Sequence, residues 1–150
     1  MDVRPGEGII EASPLEPAIV HSFLAVLGGF AAMAVLVMIS TALAAQFLVP
    51  GGMRSMATPG IPLPRPYLVT NLGCSAVAAF VGGFITVRLA PDHPFSHGIA
   101  LALLMCVMAM VSARQAGDRQ PRWYQLVLCT VMPVVALIGA YISGQVAGVY

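Results

Sequence analysis

The chain has 150 residues, of which 59% are hydrophobic and 9% are charged, and its mean hydropathy is +0.89. A soluble domain contains about 45–50% apolar and about 25% charged residues, so this composition excludes an ordinary soluble fold and indicates a surface that faces lipid. The formal net charge of +1, with no basic stripe, gives no support for nucleic-acid binding.

Hydropathy divides the chain into an acidic, proline-bearing tail, residues 1–17, and four long apolar stretches. Each stretch is close to or longer than the ~20 residues that an α-helix needs to cross the hydrocarbon core of a bilayer. None of the stretches shows the short alternating segments of a transmembrane barrel. The sequence therefore predicts an all-α integral membrane protein, an antiparallel bundle of four transmembrane helices. These helices are expected at residues 18–49, 67–90, 95–113 and 123–150.

Two connections carry predictions about how the helices meet. Residues 50–66 are rich in proline and glycine, so we expect an extended, non-helical link there. Residues 91–94 form a short turn with a proline at each end. Such a short connection predicts that the second and third apolar helices are antiparallel neighbours in the bundle.

The placement of arginines predicts the orientation of the bundle. Every basic residue is an arginine, and most of them flank the first and third connections, which lie on one side of the membrane. Cytoplasmic loops are enriched in basic residues, so this side is predicted to face the cytoplasm and both termini to face outside. It carries Arg54, Arg65, Arg114, Arg119 and Arg122, against Arg4 and Arg88 on the other side.

Small residues recur at a spacing of four in two of the stretches, which is typical of tightly packed membrane helices. The pair Gly144 and Gly148 forms a G-x-x-x-G motif, for which packing within the chain is favoured over a homodimer seam. Pro133 removes a backbone donor, frees the carbonyl of Cys129 and predicts a kink. The residues expected to pack inside the bundle are Asn71, Ser75, Ala79, Gly83, Ala140, Gly144 and Gly148.

No Asp, Glu, Lys or Arg lies well inside any of the four predicted spans. Such residues mark proton relays and ion paths, so this pattern argues against a proton-driven transporter. The most polar cluster in any span consists of Asn71 with Thr70 and Ser75. Hydrogen bonding between helices is the favoured role for this cluster, and a pocket for a lipid or small solute is the alternative.

Histidines and cysteines raise the question of a cofactor. His21 and His97 each lie near a helix end on the same side of the membrane, and two imidazoles at equal depth could hold a haem or a chlorophyll-type pigment. The favoured interpretation is that they are ordinary interfacial residues. Sulfur ligands at one depth would suit Cu(I), but a role as apolar fillers is favoured and no metal site is predicted. The cysteines concerned are Cys74, Cys106 and Cys129.

From Tyr67 onward the chain resembles small four-helix membrane proteins of bacteria. The resemblance is carried by Tyr67 with Asn71, by the stretch from Gly82-Gly83 to Arg88-Leu89-Ala90, by His97, and by Pro121-Arg122-Trp123-Tyr124. It implies a location in the bacterial inner membrane and supplies no activity, catalytic residue or cofactor.

Three functions remain open, none of them enzymatic, because the sequence shows no nucleophile–base pair, metal triad or phosphate loop. The lack of charged or catalytic side chains within the spans favours a non-catalytic accessory subunit of a larger complex, with the bilayer and other membrane subunits as partners. One alternative is an oligomeric transporter or channel for a neutral or lipid-like solute. The other is a haem- or pigment-binding protein that uses His21 and His97.

Overall fold

A computed structural model describes residues 15–57, 62–89, 93–116 and 120–148. The described residues form helices without any strand, and all but one of the helices are long and apolar enough to cross a membrane. The predicted all-α bundle of four spanning helices is therefore confirmed. The helices are α1 (Leu15–Leu48), α2 (Gly52–Ala57), α3 (Arg65–Leu89), α4 (Pro94–Ala116) and α5 (Arg122–Val146).

Three helix ends differ by three or more residues from the sequence-based bounds, and one of them is the end of α4, at Ala116 rather than at residue 113. The first helix, α1, begins at Leu15 rather than at residue 18. Pro17 is compatible with this start because the backbone nitrogens of a first helical turn have no intrahelical acceptor. At the other end of the chain, α5 stops at Val146 rather than at residue 150. The rest of the predicted tail, residues 1–14, lies outside the described residues.

The first connection contains the short helix α2, so the expectation of a wholly extended link is wrong. Gly51 and Gly52 adopt φ values of 83° and 61°, in the left-handed region that glycine occupies without steric cost. They turn the chain at the end of α1. After Pro50 the next proline is Pro59, which follows the end of α2, so no proline interrupts its short helical turn.

The central helix of the bundle is α3, which packs against both α1 and α5, while α5 also packs against α4. By contrast, α3 and α4 share fewer contacts, so the predicted antiparallel neighbours do meet, but less extensively than α3 meets α1 or α5. The reason is that small residues on α3 serve its other two partners: Gly82 faces Met33 of α1, and Gly83 faces Ala136 of α5. Helices α1 and α4 also meet only weakly.

Backbone contact between α3 and α5 depends on two glycines. A Cβ atom on Gly83 would collide with the carbonyl of Ala136, and one on Gly139 would collide with the carbonyl of Phe80. Close approach of this kind is how small residues stabilise helix pairs in lipid. The predicted packing residues that are buried in the structure are Ser75, Ala79, Gly83, Ala140 and Gly144, and Asn71 is half-buried.

Gly148 does not pack inside the bundle, and the expectation that it would is wrong. It lies beyond the end of α5, is exposed, and has no heavy atom within 4 Å of the position of an added Cβ. Its φ of 69° lies in the left-handed region, where glycine commonly ends a helix. Gly148 therefore belongs to the termination of α5.

Pro133 lies buried within α5, and the helix is continuous across it. The carbonyl of Cys129, which lacks its usual partner because proline has no N–H, lies 3.8 Å from the donating thiol of Cys106 on α4. The Thr130 hydroxyl donates instead to the carbonyl of Leu126, at 2.8 Å. A weak bond between helices thus replaces the missing helical one, and the predicted kink itself stays a prediction.

Large apolar side chains cover the outer side of the bundle. On α1, Phe47 is 81% exposed and Met38 is 70% exposed. Such surfaces over helices of this length and composition fit a multi-pass protein whose solvent is lipid.

Candidate functional site: an uncharged cavity between the helices

A chain of hydrogen bonds joins α1, α3 and α5 near the arginine-rich end of the bundle. The Thr41 hydroxyl donates to Asn71 Oδ1 at 2.8 Å, and Asn71 Nδ2 donates to the Tyr124 hydroxyl at 2.7 Å. The Tyr67 hydroxyl also forms a hydrogen bond with Thr41. The network holds three helices at one level.

The two tyrosines of this network are almost completely buried. Tyr67 is 3% exposed and Tyr124 is 1% exposed, and each is the third residue of its helix. Their rings pack in a cluster that includes Ala44 and Ala45 of α1, whose small side chains leave room for aromatic rings. Hydrophobic packing therefore fixes the position of the hydroxyl groups that end the polar chain.

An open cavity of about 500 Å³ lies beside this network, and we call it the α1–α4 cavity. Helices α3, α4 and α5 contribute its buried lining, with residues such as Ser75, Met105 and Met132. Exposed Met38 of α1 and Met108 of α4 also line it and mark its rim. The cavity thus lies between α1 and α4, which meet only weakly, and exposed side chains of both helices line it.

Polarity changes along the length of the α1–α4 cavity. Thr41, Asn71 and Tyr124 line the end near the arginine-rich side, whereas Met105 and Met132 line a deeper part. Met132 lies ten residues beyond the start of α5, or about 15 Å at 1.5 Å per residue. The apolar part thus reaches the level of the centre of a bilayer with a core of about 30 Å.

Methionine is the most frequent residue in the cavity wall, where six of the nine methionines of the chain are found. Its unbranched thioether side chain is flexible and polarisable, so walls made of it adapt to ligands of different shape. No charged side chain lines the cavity among the residues that the structure describes. The methionines concerned are Met33, Met38, Met56, Met105, Met108 and Met132.

The histidines predicted as cofactor ligands lie in different environments. His21 is exposed on α1, whereas His97 is 7% exposed, and its Nδ1 donates to the carbonyl of His93 at 2.6 Å. Neither histidine is among the residues that line the α1–α4 cavity. Across the described part of the chain, no group of His, Cys, Asp and Glu could hold a metal ion. Haem or pigment binding through this pair stays a prediction.

Asn71 could be singled out from the sequence, but its partners could not. Thr70, which adjoins Asn71 in the sequence, is exposed, while Thr41 and Tyr124 come from helices 30 and 53 residues away. Spacing along a membrane helix gives depth but not rotation about the axis, and rotation decides which polar side chains meet. The aromatic residues near the starts of two helices were the available signal for Tyr67 and Tyr124.

No family model matches the sequence, and no curated protein or solved structure matches it either. The function is therefore argued from the contacts and surfaces of the chain itself.

Proposed function

We propose that this membrane protein binds an uncharged amphiphile, taken up from the bilayer through the opening of the α1–α4 cavity. The observation that supports the proposal is the cavity's combination of a polar end, an apolar interior and a described lining without charge. A ligand whose head carried a full charge would lose its hydration there without gaining a counter-ion, at a cost of several kcal/mol. This favours the lipid-like solute among the functions that the sequence left open.

The polar end offers hydrogen-bond donors to such a ligand. One amide proton of Asn71 goes to Tyr124, and its second proton and the Tyr124 hydroxyl proton have no acceptor among the described residues. A ligand with a carbonyl oxygen would accept these protons and satisfy both groups. Quinones and diacylglycerols have this chemistry, a neutral head with carbonyl oxygens on an apolar body.

The size and shape of the cavity fit part of such a molecule. Its volume of about 500 Å³ lies within the ~300–1,000 Å³ that is typical of small-molecule sites. The ring or ester head would lie level with Asn71, and its chain would lie against Met105 and Met132. A lateral opening allows the rest of a long chain to remain in the bilayer.

An accessory role in a larger complex stays a prediction, since no described surface distinguishes a protein partner from lipid. The same holds for the bacterial inner membrane as the location, which follows from the sequence resemblance.

Photo-crosslinking tests the proposal. The full chain is reconstituted in nanodiscs with a diazirine-bearing diacylglycerol, and the labelled residues are mapped by mass spectrometry. Labelling is expected on α1 and α4 around the rim, and an unlabelled quinone should compete for it. Ala34→Phe, which places a ring in the cavity wall, should lower the labelling by about ten-fold, which corresponds to ~1.4 kcal/mol of lost affinity.

Ala31→Phe is the matched control, because Ala31 is exposed on the same helix and does not line the cavity. It should leave the labelling unchanged, and circular dichroism should show equal helicity for both variants. Equal labelling of the two variants would contradict the proposal. So would competition by phosphatidylglycerol as strong as that by the quinone, since the cavity would then accept a charged head.

A further inference from the structure

A second groove, of about 420 Å³, lies between α4 and α5 at the arginine-rich end of the bundle. Arg114, from the last turn of α4, and Arg122, the first residue of α5, both line it. Met110 and Leu126 line its apolar part. Gln125 bridges the two helices, with its Nε2 donating to the carbonyl of Ala113 at 3.5 Å. The groove therefore combines two guanidinium groups with an apolar floor.

The charge of the two arginines has no counter-ion within the described residues. Both side chains are exposed, and neither forms an ion pair there. The only acidic residue in the described part of the chain is Glu16, which lies in α1 at the opposite end of the bundle. Two cations in one groove repel each other, and an anion bound between them would remove that repulsion.

The start of α5 adds backbone donors to the same place. Pro121 gives no side-chain cap, and the first turn of α5 contains no acidic residue. The amides of Tyr124 and Gln125 donate to the Pro121 carbonyl, so the preceding amides of Arg122 and Trp123 have no helical acceptor. A helix start of this kind favours a negative charge beside it.

We infer that the groove between α4 and α5 binds an anionic phospholipid, with its phosphate between Arg114 and Arg122. Guanidinium groups bind phosphate oxygens in bidentate fashion, and basic pockets between transmembrane helices commonly bind anionic head groups. One acyl chain of the lipid would lie along Met110 and Leu126. The site is separate from the α1–α4 cavity, and the inference does not depend on the function proposed for that cavity.

Trp123, the only tryptophan of the chain, provides a reporter next to Arg122. The full chain is reconstituted in vesicles that contain phosphatidylglycerol or phosphatidylcholine, each brominated near the head-group end of its acyl chains. At equal bromine content, phosphatidylglycerol should quench the Trp123 fluorescence more strongly. In the double variant Arg114→Gln/Arg122→Gln, the local enrichment of anionic lipid should fall about 30-fold, or about five-fold per arginine.

Arg65→Gln is the matched control, since Arg65 is an exposed arginine at the same end of the bundle that does not line the groove. It should keep the excess quenching by phosphatidylglycerol. If Arg65→Gln removed that excess as fully as the double variant does, general surface charge would explain it and the inference would be overturned. Equal quenching by phosphatidylcholine in all variants shows that the fold is intact. If the double variant does not meet this criterion, the single variant Arg114→Gln is used in its place.

Two further results distinguish the source of the negative charge. Sodium phosphate, added at constant ionic strength, should leave the excess quenching by phosphatidylglycerol unchanged. If phosphate removed the excess quenching, the groove would bind a soluble anion, and the inference of a bound lipid would be overturned. Asp118 lies in the connection outside the described residues. If the enrichment of anionic lipid appeared only in Asp118→Asn, that carboxylate would occupy the place of the phosphate, and the inference would also be overturned.

Discussion

Single glycines determine how closely the helices of this bundle approach each other. Gly83 of α3 lies against the carbonyl of Ala136 in α5, and Gly139 of α5 lies against the carbonyl of Phe80 in α3. Each helix therefore contributes one glycine that contacts the backbone of the other helix. A side chain at either position meets backbone, which cannot turn aside as a flexible side chain can. An added Cβ at either position therefore requires the backbones of α3 and α5 to move apart.

We predict that Gly83→Ala and Gly139→Ala each destabilise the protein by about 1–3 kcal/mol, the usual cost of overpacking a tight core. Thermal unfolding in mild detergent, followed by circular dichroism, measures the effect as a lower midpoint. Gly73→Ala is the control, because Gly73 lies in the same helix with no heavy atom within 4 Å of an added Cβ. Its midpoint should be unchanged or higher, since alanine favours the helix; an equal loss in all three variants would contradict the backbone contact.

Within α5, Pro133 and the thiol of Cys106 act together. Proline leaves the Cys129 carbonyl without its helical donor, and Cys106 supplies a weak S–H donor from α4 at 3.8 Å. An unsatisfied carbonyl is costly in lipid, so even a weak donor from a neighbouring helix is useful there. This bond links the two helices that also form the arginine-lined groove.

We predict that Pro133→Ala lengthens or breaks the bond between Cys106 and the Cys129 carbonyl, because the new backbone N–H at position 133 competes for the same oxygen. Infrared spectroscopy of the S–H stretch measures this in a Cys74→Ala/Cys129→Ala background, where Cys106 is the only thiol. The band should move to higher frequency in Pro133→Ala. Val134→Ala, at an exposed neighbouring position, should leave the band in place, and an unmoved band in Pro133→Ala would show that the thiol does not donate there.

Helices were predictable from the sequence in number and type, because apolar length alone distinguishes a spanning helix. The short helix α2 was missed, since its helical turn fits between two glycines and the prolines that follow it. Gly148 was wrongly predicted to pack inside the bundle for a related reason. The small residues continue at a spacing of four as far as Gly148, but α5 ends at Val146. In both places the backbone conformation of a glycine decided the outcome, and composition does not encode that conformation.

At the scale of the whole molecule, helix order in the chain does not give helix order in the bundle. Only four residues separate α3 from α4 in the sequence, yet the strongest contacts of α3 are with α1 and α5. Small residues on α3 determine that it packs against α1 and α5. Helices α1 and α4, which share few contacts, border the cavity. The candidate site could be located from the sequence only as far as Asn71, because the cavity results from this arrangement rather than from any local motif.

The arrangement of the helices also fixes which parts of the chain share a side of the membrane. Three spanning helices separate α2 from Gly148, so they must lie on opposite sides. With the arginine-rich end in the cytoplasm, Met53 of α2 is predicted to face inside and Gly148 outside. Both residues are exposed, which makes them suitable labelling positions.

Cysteine labelling in intact bacterial spheroplasts tests this topology, with Met53→Cys and Gly148→Cys introduced singly into a chain whose native cysteines are replaced by alanine. A membrane-impermeant maleimide should label Gly148→Cys at once and Met53→Cys only after the membrane is permeabilised. The reverse pattern would agree with four membrane crossings but contradict the orientation predicted from the distribution of arginines. Labelling of both positions from the same side would contradict the bundle itself, since three spanning helices cannot begin and end on one face.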